Sequence, residues 1–324
     1  MPAPKRSNRT YRNVAHVVRP LMSSMTRTDW HGTEHLPTSG GFIAASNHMT
    51  EIDPLTFAHY LWDAGFAPRI LAKDPLFRVP VLGKILHATG QIPVYRGSSD
   101  AGRSLEAGVQ ALRDGECVAV FPEGTLTREP ALWPMSGKTG VARLALTTQV
   151  PVIPVAQWGP QDVLGRYSKV LKPFPRKKVT VVAGPPVVLD DLYGRPQDTA
   201  TLREATERIM AAITVLLEGI RGEKAPEVRY DMRRAKANGG SAAAPTGTTG
   251  GTPTGTAPTT GTVPATPTET EASTSTQTPT GTEADERVGE QPSGELPGSP
   301  VSGVLPEAPP GEQGGDAAAK PGTP

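Results

Sequence analysis

Three short segments of this 324-residue chain place reactive side chains just beyond apolar runs. The first is Asn47-His48-Met49-Thr50-Glu51-Ile52-Asp53-Pro54, which follows the strand-like Phe42–Ser46. Histidine takes and gives a proton near neutral pH more readily than any other side chain. To act as a base it needs a partner that holds the ring and stabilises the imidazolium, and a carboxylate does this best. Asp53 lies five positions on, roughly 140° around a regular helix from His48, so the two pair only if the chain turns between them. Pro54 favours that turn by driving its predecessor away from helical angles. A surface or core histidine without a role is the plain alternative, and a metal site from His48, Glu51 and Asp53 is another.

The second segment, Phe121-Pro122-Glu123-Gly124-Thr125, ends the run Cys117–Phe121. Gly124 lets the backbone approach a ligand closely, Thr125 and Thr127 offer hydroxyls, and Glu123 can fix a ligand hydroxyl or a neighbouring base. The third is Arg96, just past Ile92-Pro93-Val94-Tyr95, with Lys73 similarly placed after Ile70–Ala72. Arginine binds phosphate through bidentate, charge-assisted bonds. Each cation alone reads as a solvated strand end. Together the segments put two cations, a base and an acid at strand ends.

Several chemistries lack their residues. Ser136-Gly137-Lys138-Thr139 resembles the end of a phosphate loop, but Leu132 stands where that motif needs glycine. No G-x-S-x-G elbow is present. The single cysteine, Cys117, sits in an apolar run as a packing residue and excludes an internal disulfide or a cysteine zinc cluster. Without an activated nucleophile, any acyl transfer has to be direct: a bound hydroxyl, deprotonated by His48, attacks the donor.

The elements that must position these groups alternate between two periods. Strand-like runs lie at 41–45, 69–72, 91–95, 117–121, 150–155 and 179–183. The third and fifth contain prolines, which marks them as edge or irregular strands. Helical stretches run from an Asp100 N-cap to Gly115, over Gly140–Thr148, and from about Thr199 with Leu202, Ile209, Ile213, Leu216 and Ile220 on one stripe. This alternation predicts an α/β fold: a mixed, mostly parallel sheet flanked by helices, with reactive groups where strands give way to helices.

Three regions follow: 1–30, a basic amphipathic helical segment; 31–236, the folded domain; and 237–324, a tail. The first either packs on the domain or lies on an anionic membrane, and Pro20 would kink it. The tail is rich in Gly, Pro and Thr, has no aromatic residue, and is expected to be disordered. Charge divides the same way. The tail has two bases against ten acids, a net −8, whereas residues 1–236 hold 31 bases against 22 acids, a net +9. A basic body suits phosphate groups, nucleic acid or an anionic bilayer. No run of about 18 apolar residues is present to span a bilayer, and no secretory signal is expected. The chain reads as cytoplasmic, bound peripherally to the inner face of the cell membrane.

In order, the segments resemble the glycerolipid acyltransferase family, the lysophosphatidic acid acyltransferases. The block N-H-x4-D is matched by Asn47, His48 and Asp53, and G-x-I-P/F-x-x-R by Gly90 to Arg96. The block F-P-E-G-T-x-S is matched from Phe121 with Thr127 for serine, and V-P-V-I-P-V by Val150 to Val155. Lys73 to Gly83 also resembles the family's stretch between the first two blocks. The resemblance implies a fold like that of glycerol-3-phosphate acyltransferase, with His48 as general base and Asp53 as its orienting carboxylate. It implies that Arg96, Glu123 and Gly124, with Thr125 and Lys73, bind the glycerol phosphate, and that Pro154 shapes the acyl-donor pocket. The implied partners are lysophosphatidic acid, acyl-CoA or acyl carrier protein as co-substrate, and an anionic membrane surface, with no cofactor, metal or nucleic acid. Glycerol 3-phosphate or another lysolipid as acceptor, or a non-catalytic basic membrane-binding module, are the alternatives.

Overall fold

The computed structural model describes residues 7–95 and 101–237. Arg96 and the expected tail beyond Ala237 lie outside the described residues. In chain order the elements are α1 (Arg9–Met25), β1 (Thr26–His31), β2 (Phe42–Ser46), α2 (Asp53–Asp63), β3 (Arg69–Lys73), α3 (Asp74–Phe77), α4 (Leu82–Ala88) and β4 (Ile92–Val94). They continue as α5 (Ala101–Arg113), β5 (Cys117–Val120), α6 (Gly140–Thr148), β6 (Val152–Trp158), α7 (Pro160–Val163), β7 (Lys177–Ala183), α8 (Thr199–Arg221) and α9 (Met232–Ala237).

The seven strands form one sheet in the order β1-β7-β6-β2-β5-β3-β4. Every neighbouring pair is parallel except β6 and β7. This is the mixed, mostly parallel α/β sheet that the sequence predicts. The central strands β2 and β5 are buried at every residue, as expected for strands covered on both faces. Ile43, Ala45, Val118 and Val120 point to one side, against α5, α6 and α8 through Leu112, Leu144, Ile209 and Ile213. Phe42, Ala44, Cys117 and Ala119 point to the other, against Phe57, Tyr60 and Leu61 of α2. Burial raises the Cys117 thiol far above its ordinary range and leaves it a packing group.

Two expectations change. Residues 26–30 are not helical: the first helix ends at Met25, and Thr26–His31 pairs with β7 as an edge strand. Thr26–His31 shows no alternation of buried and exposed residues and is largely polar, as an edge strand can be. The fifth run is longer, reaching Trp158, and lies inside the sheet; only the third, β4, is at an edge. β6 tolerates Pro154 because regular pairing with β7 ends one residue away, at Val155 opposite Ala183. Pro154 keeps one bond of the next pair, its carbonyl accepting the Gly184 N–H at 2.9 Å.

Helix α1 packs on the domain. Tyr11 is buried, stacks on Trp62 of α2 with ring centroids 5.5 Å apart, and donates its hydroxyl to the Pro68 carbonyl. Arg19 pairs with Asp63 at 2.8 Å. Val17 and Leu21, by contrast, stay exposed. No helix among the described residues is long and apolar enough to cross a membrane.

Candidate active site

The C-terminal ends of β2, β5 and β3, adjacent and parallel, bring the first two sequence segments and Lys73 to one edge of the sheet. His48 follows β2 directly. The loop after β5 grips its main chain from both sides: the His48 N–H donates to Glu123 Oε1 at 2.9 Å, and the His48 carbonyl accepts the Thr127 N–H at 2.7 Å. The imidazole lies over Phe121, with centroids 4.2 Å apart and planes 23° from parallel.

Asp53 opens α2, and the chain turns through Thr50 to bring its carboxylate back to the ring. Asp53 Oδ2 lies 3.0 Å from His48 Nδ1. The same oxygen accepts the Met49 N–H and, at 2.8 Å, the Thr50 N–H, while Oδ1 accepts the Thr50 hydroxyl at 2.9 Å. The Asp53 side chain is entirely buried and that of His48 is 15% exposed. A carboxylate only accepts, so Nδ1 donates and Nε2 keeps the lone pair. Among the described residues Nε2 has no hydrogen-bond partner, and the ring borders a cavity.

That cavity encloses about 1260 Å³ between α1, α2, α4, β3 and the loop after β5. Ordinary small-molecule pockets hold roughly 300–1,000 Å³. Its walls are largely apolar, from residues such as Val14, Val18, Leu71, Ile85 and Leu86. Polar groups line it too, among them Lys73, Thr125 and Lys138, and so does Gly124. Gly124 has φ +71°, a conformation L side chains resist, and its N–H closes a turn onto the Phe121 carbonyl at 2.9 Å.

Glu123 does not face the cavity. It is 0% exposed, and its second oxygen, Oε2, accepts the Met135 N–H at 3.1 Å. The expectation that it contacts an acceptor therefore gives way to the other option for this residue, fixing the neighbouring base. Pro154 is likewise interior to the sheet and lines no part of the cavity. Thr127, in the place of serine, is buried and donates its hydroxyl to the Trp133 carbonyl at 2.6 Å. Glu51 is exposed, and no group of three or more His, Cys, Asp or Glu side chains able to hold a metal ion occurs among the described residues.

Burial pushes the Glu123 carboxyl from its ordinary 4.5 up to about 8. The folded chain therefore holds a proton that the unfolded chain releases between those values, so stability falls as pH rises through that window. Melting temperature should drop between about pH 5 and pH 8. Glu123→Gln should flatten that drop and cost about 1–3 kcal/mol at pH 5, because its amide nitrogen would face a backbone N–H. Thermal melts across pH check this, and parallel curves for the two proteins would contradict it.

A buried amide pair behind the site has no counterpart in the sequence reading. Asn47 Oδ1 accepts the Gln157 N–H at 2.9 Å, and Asn47 Nδ2 donates to the Gln157 carbonyl at 3.1 Å. Gln157 Oε1 accepts the Thr56 hydroxyl at 2.5 Å, tying the end of β6 to the first turns of α2. The available signal was a single amide, Gln157, in an otherwise apolar strand, since a polar side chain placed there needs a buried partner. Arg166, also missed, donates to the Thr127 and Glu129 carbonyls at 2.8 and 2.7 Å and braces the loop that holds His48.

The family profile described as Acyltransferase matches residues 27–158. The 1-acyl-sn-glycerol-3-phosphate acyltransferase of Bacillus subtilis is 27% identical over 189 residues, 57% of this chain and 86% of that protein. The enzyme of the same name from Borreliella burgdorferi is 33% identical over 125 residues, 38% of this chain and 48% of that protein. This chain thus spans about half the length of the second relative. The crystal structure of the 1-acyl-sn-glycerophosphate acyltransferase of Thermotoga maritima superposes with a TM-score of 0.49 and 20% identity, covering 67% of this chain and 83% of that one. The stretch that matches the acyltransferase family profile, residues 27–158, contains the His48–Asp53 pair and much of the lining of its cavity.

Proposed function

We propose that this chain moves a fatty acyl group from a thioester, acyl-CoA or acyl carrier protein, to the sn-2 hydroxyl of 1-acylglycerol 3-phosphate, giving phosphatidic acid. The observation that supports this most is the imidazole held at 3.0 Å by Asp53 on the border of a cavity of about 1260 Å³ with mostly apolar walls. His48 Nε2 takes the proton of the acceptor hydroxyl as its oxygen attacks the thioester carbonyl. Asp53 stabilises the imidazolium that results. The tetrahedral intermediate collapses, the carbon–sulfur bond breaks, and the leaving thiolate receives the proton from His48. The products are the ester and a free thiol, and the histidine returns to its starting state.

Glu123 acts on this reaction through the His48 main chain. Lys73, Gly124, Thr125 and Arg96 bind the glycerol phosphate. The apolar walls take acyl chains. The chain works in the cytoplasm at the inner face of the cell membrane, where its acceptor resides. Incubating the purified protein with oleoyl-CoA and a panel of lysolipids and glycerol 3-phosphate, read by mass spectrometry, tests the reading. Phosphatidate formed from the 1-acyl acceptor supports it. Preference for another acceptor moves the substrate, and no transfer to any acceptor sinks it in favour of a basic membrane-binding module.

Lys73→Ala and Arg96→Ala should each raise the KM for lysophosphatidate about tenfold or more, the worth of a charge-assisted bond to phosphate, with little change in the KM for the thioester. Initial-rate kinetics with each substrate varied in turn check this. Equal effects on both substrates would remove the phosphate role.

A further inference from the structure

The connection between α7 and β7 is a built hairpin that the proposed chemistry does not use. Leu164 bridges Leu171, the Lys172 N–H donates to the Val163 carbonyl at 2.8 Å, and the Ser168 N–H donates to the Gly165 carbonyl at 2.8 Å. Its base is fastened inward twice. Arg166 binds the carbonyls of the loop after β5, and Arg176 binds the Thr26 carbonyl at 2.7 Å. This anchored hairpin shows several apolar side chains to solvent: Val170 is 64% exposed and Phe174 73%, with Tyr167 and Leu171 exposed beside them. Such a patch on a soluble surface marks a contact site.

The charge along it has one sign. From Leu164 to Lys178 the chain has six Lys and Arg and no Asp or Glu. Lys169 and Lys172, interleaved with the apolar side chains, are exposed. The hairpin also adjoins the mouth of the cavity. Tyr167 both lines the cavity and is exposed, as do Leu55, Leu76 and Leu82 from α2, α3 and α4. On its other flank Val163 and Leu164 pack against Val18, Met22 and Met25 of α1, the helix whose Val17 and Leu21 are exposed.

We propose that the hairpin 164–176 inserts its Val170–Phe174 stretch into an anionic bilayer and sets the cavity mouth against it. Apolar and aromatic side chains set among lysines suit the boundary between headgroups and acyl chains, and the lysines meet anionic headgroups. Exposed apolar side chains from four separate elements border the mouth, which suits an extended sheet of lipid. The proposal rests on the acyltransferase reading for its purpose, the delivery of lipid-borne acceptor, but its binding test does not depend on activity.

The test is co-sedimentation of the full chain with vesicles of phosphatidylcholine alone or mixed with phosphatidylglycerol. Val170→Asp combined with Phe174→Asp should lower partitioning to the mixed vesicles about tenfold or more. Lys169→Glu combined with Lys172→Glu should lower it on mixed vesicles only and weaken its salt dependence. All four positions are exposed, and unchanged melting curves show that the variants fold. Turnover of a short-chain, water-soluble acceptor should be unchanged in both variants, while turnover of vesicle-borne acceptor falls with binding. Partitioning equal to that of the unaltered chain would overturn the proposal. So would a loss confined to binding an acidic acyl carrier protein, which would make the hairpin a protein dock. Loss of partitioning in a chain that transfers no acyl group would uphold the hairpin and sink the enzymatic reading.

Discussion

His48→Ala should lower kcat/KM for acyl transfer by about 10²–10⁴, the range a positioned general base supplies. The chain should stay folded. The main-chain N–H and carbonyl that Glu123 and the Thr127 N–H hold remain in place, and only the ring's stacking on Phe121 and its bond to Asp53 are lost. Steady-state rates with melting curves measured alongside separate the two effects. A rate within tenfold of the unaltered enzyme would remove His48 from the chemistry and turn attention to His59, which also lines the cavity and lies 3.4 Å from Asp63.

Asp53→Asn and Asp53→Ala should behave differently, and the difference identifies what the carboxylate does. The asparagine amide would present its oxygen where Oδ2 now receives His48 Nδ1–H and the N–H groups of Met49 and Thr50, and the Thr50 hydroxyl can rotate to accept from the amide nitrogen. Geometry and tautomer survive, but the charge that stabilises an imidazolium is gone. Asp53→Asn should therefore lose about 10²–10³ in kcat/KM with stability nearly unchanged. Asp53→Ala should lose activity and also destabilise the fold, since two backbone N–H groups are left buried without acceptors at about 1–3 kcal/mol each. Denaturant unfolding and initial rates on both variants decide the matter. An asparagine variant as unstable as the alanine one would contradict the hydrogen-bond account, and one as active as the unaltered chain would contradict the electrostatic one.

The sheet's inner strands were legible because burial on both faces leaves continuous apolar runs, as in Phe42–Ser46 and Cys117–Val120, and α5, α6 and α8 were legible from their periodicity. The short helices α3, α4, α7 and α9 were not read, and β1 and α2 escaped for physical reasons. β1 is an edge strand with polar side chains, and its neighbour β7 lies about 150 positions along the chain, beyond any local pattern. α2 was hidden by Pro54, which marks a turn in sequence but here sits in the first turn of a helix, where its missing N–H costs nothing. At the site, the His48–Asp53 pair was legible because both partners lie on one short turn. The direction of Glu123 was not, since whether a carboxylate faces ligand or protein depends on Met135 and on the His48 backbone, which fold against it from elsewhere in the chain. The Asn47–Gln157 pair joins residues 110 positions apart and needs the finished sheet to be seen.

The parallel union of the first strand with the last has a bearing on how the protein is made. Contacts between distant positions carry the largest loop-closure cost and form late. On the ribosome, Thr26–His31 emerges first and waits, with its backbone groups unsatisfied, until Lys177–Ala183 is synthesised. Helix α1, joined directly to that strand, has partners sooner, in Trp62 and Asp63 of α2. The hollow it covers is lined last by Tyr167, so a nascent chain cannot close it before most of the domain has been translated.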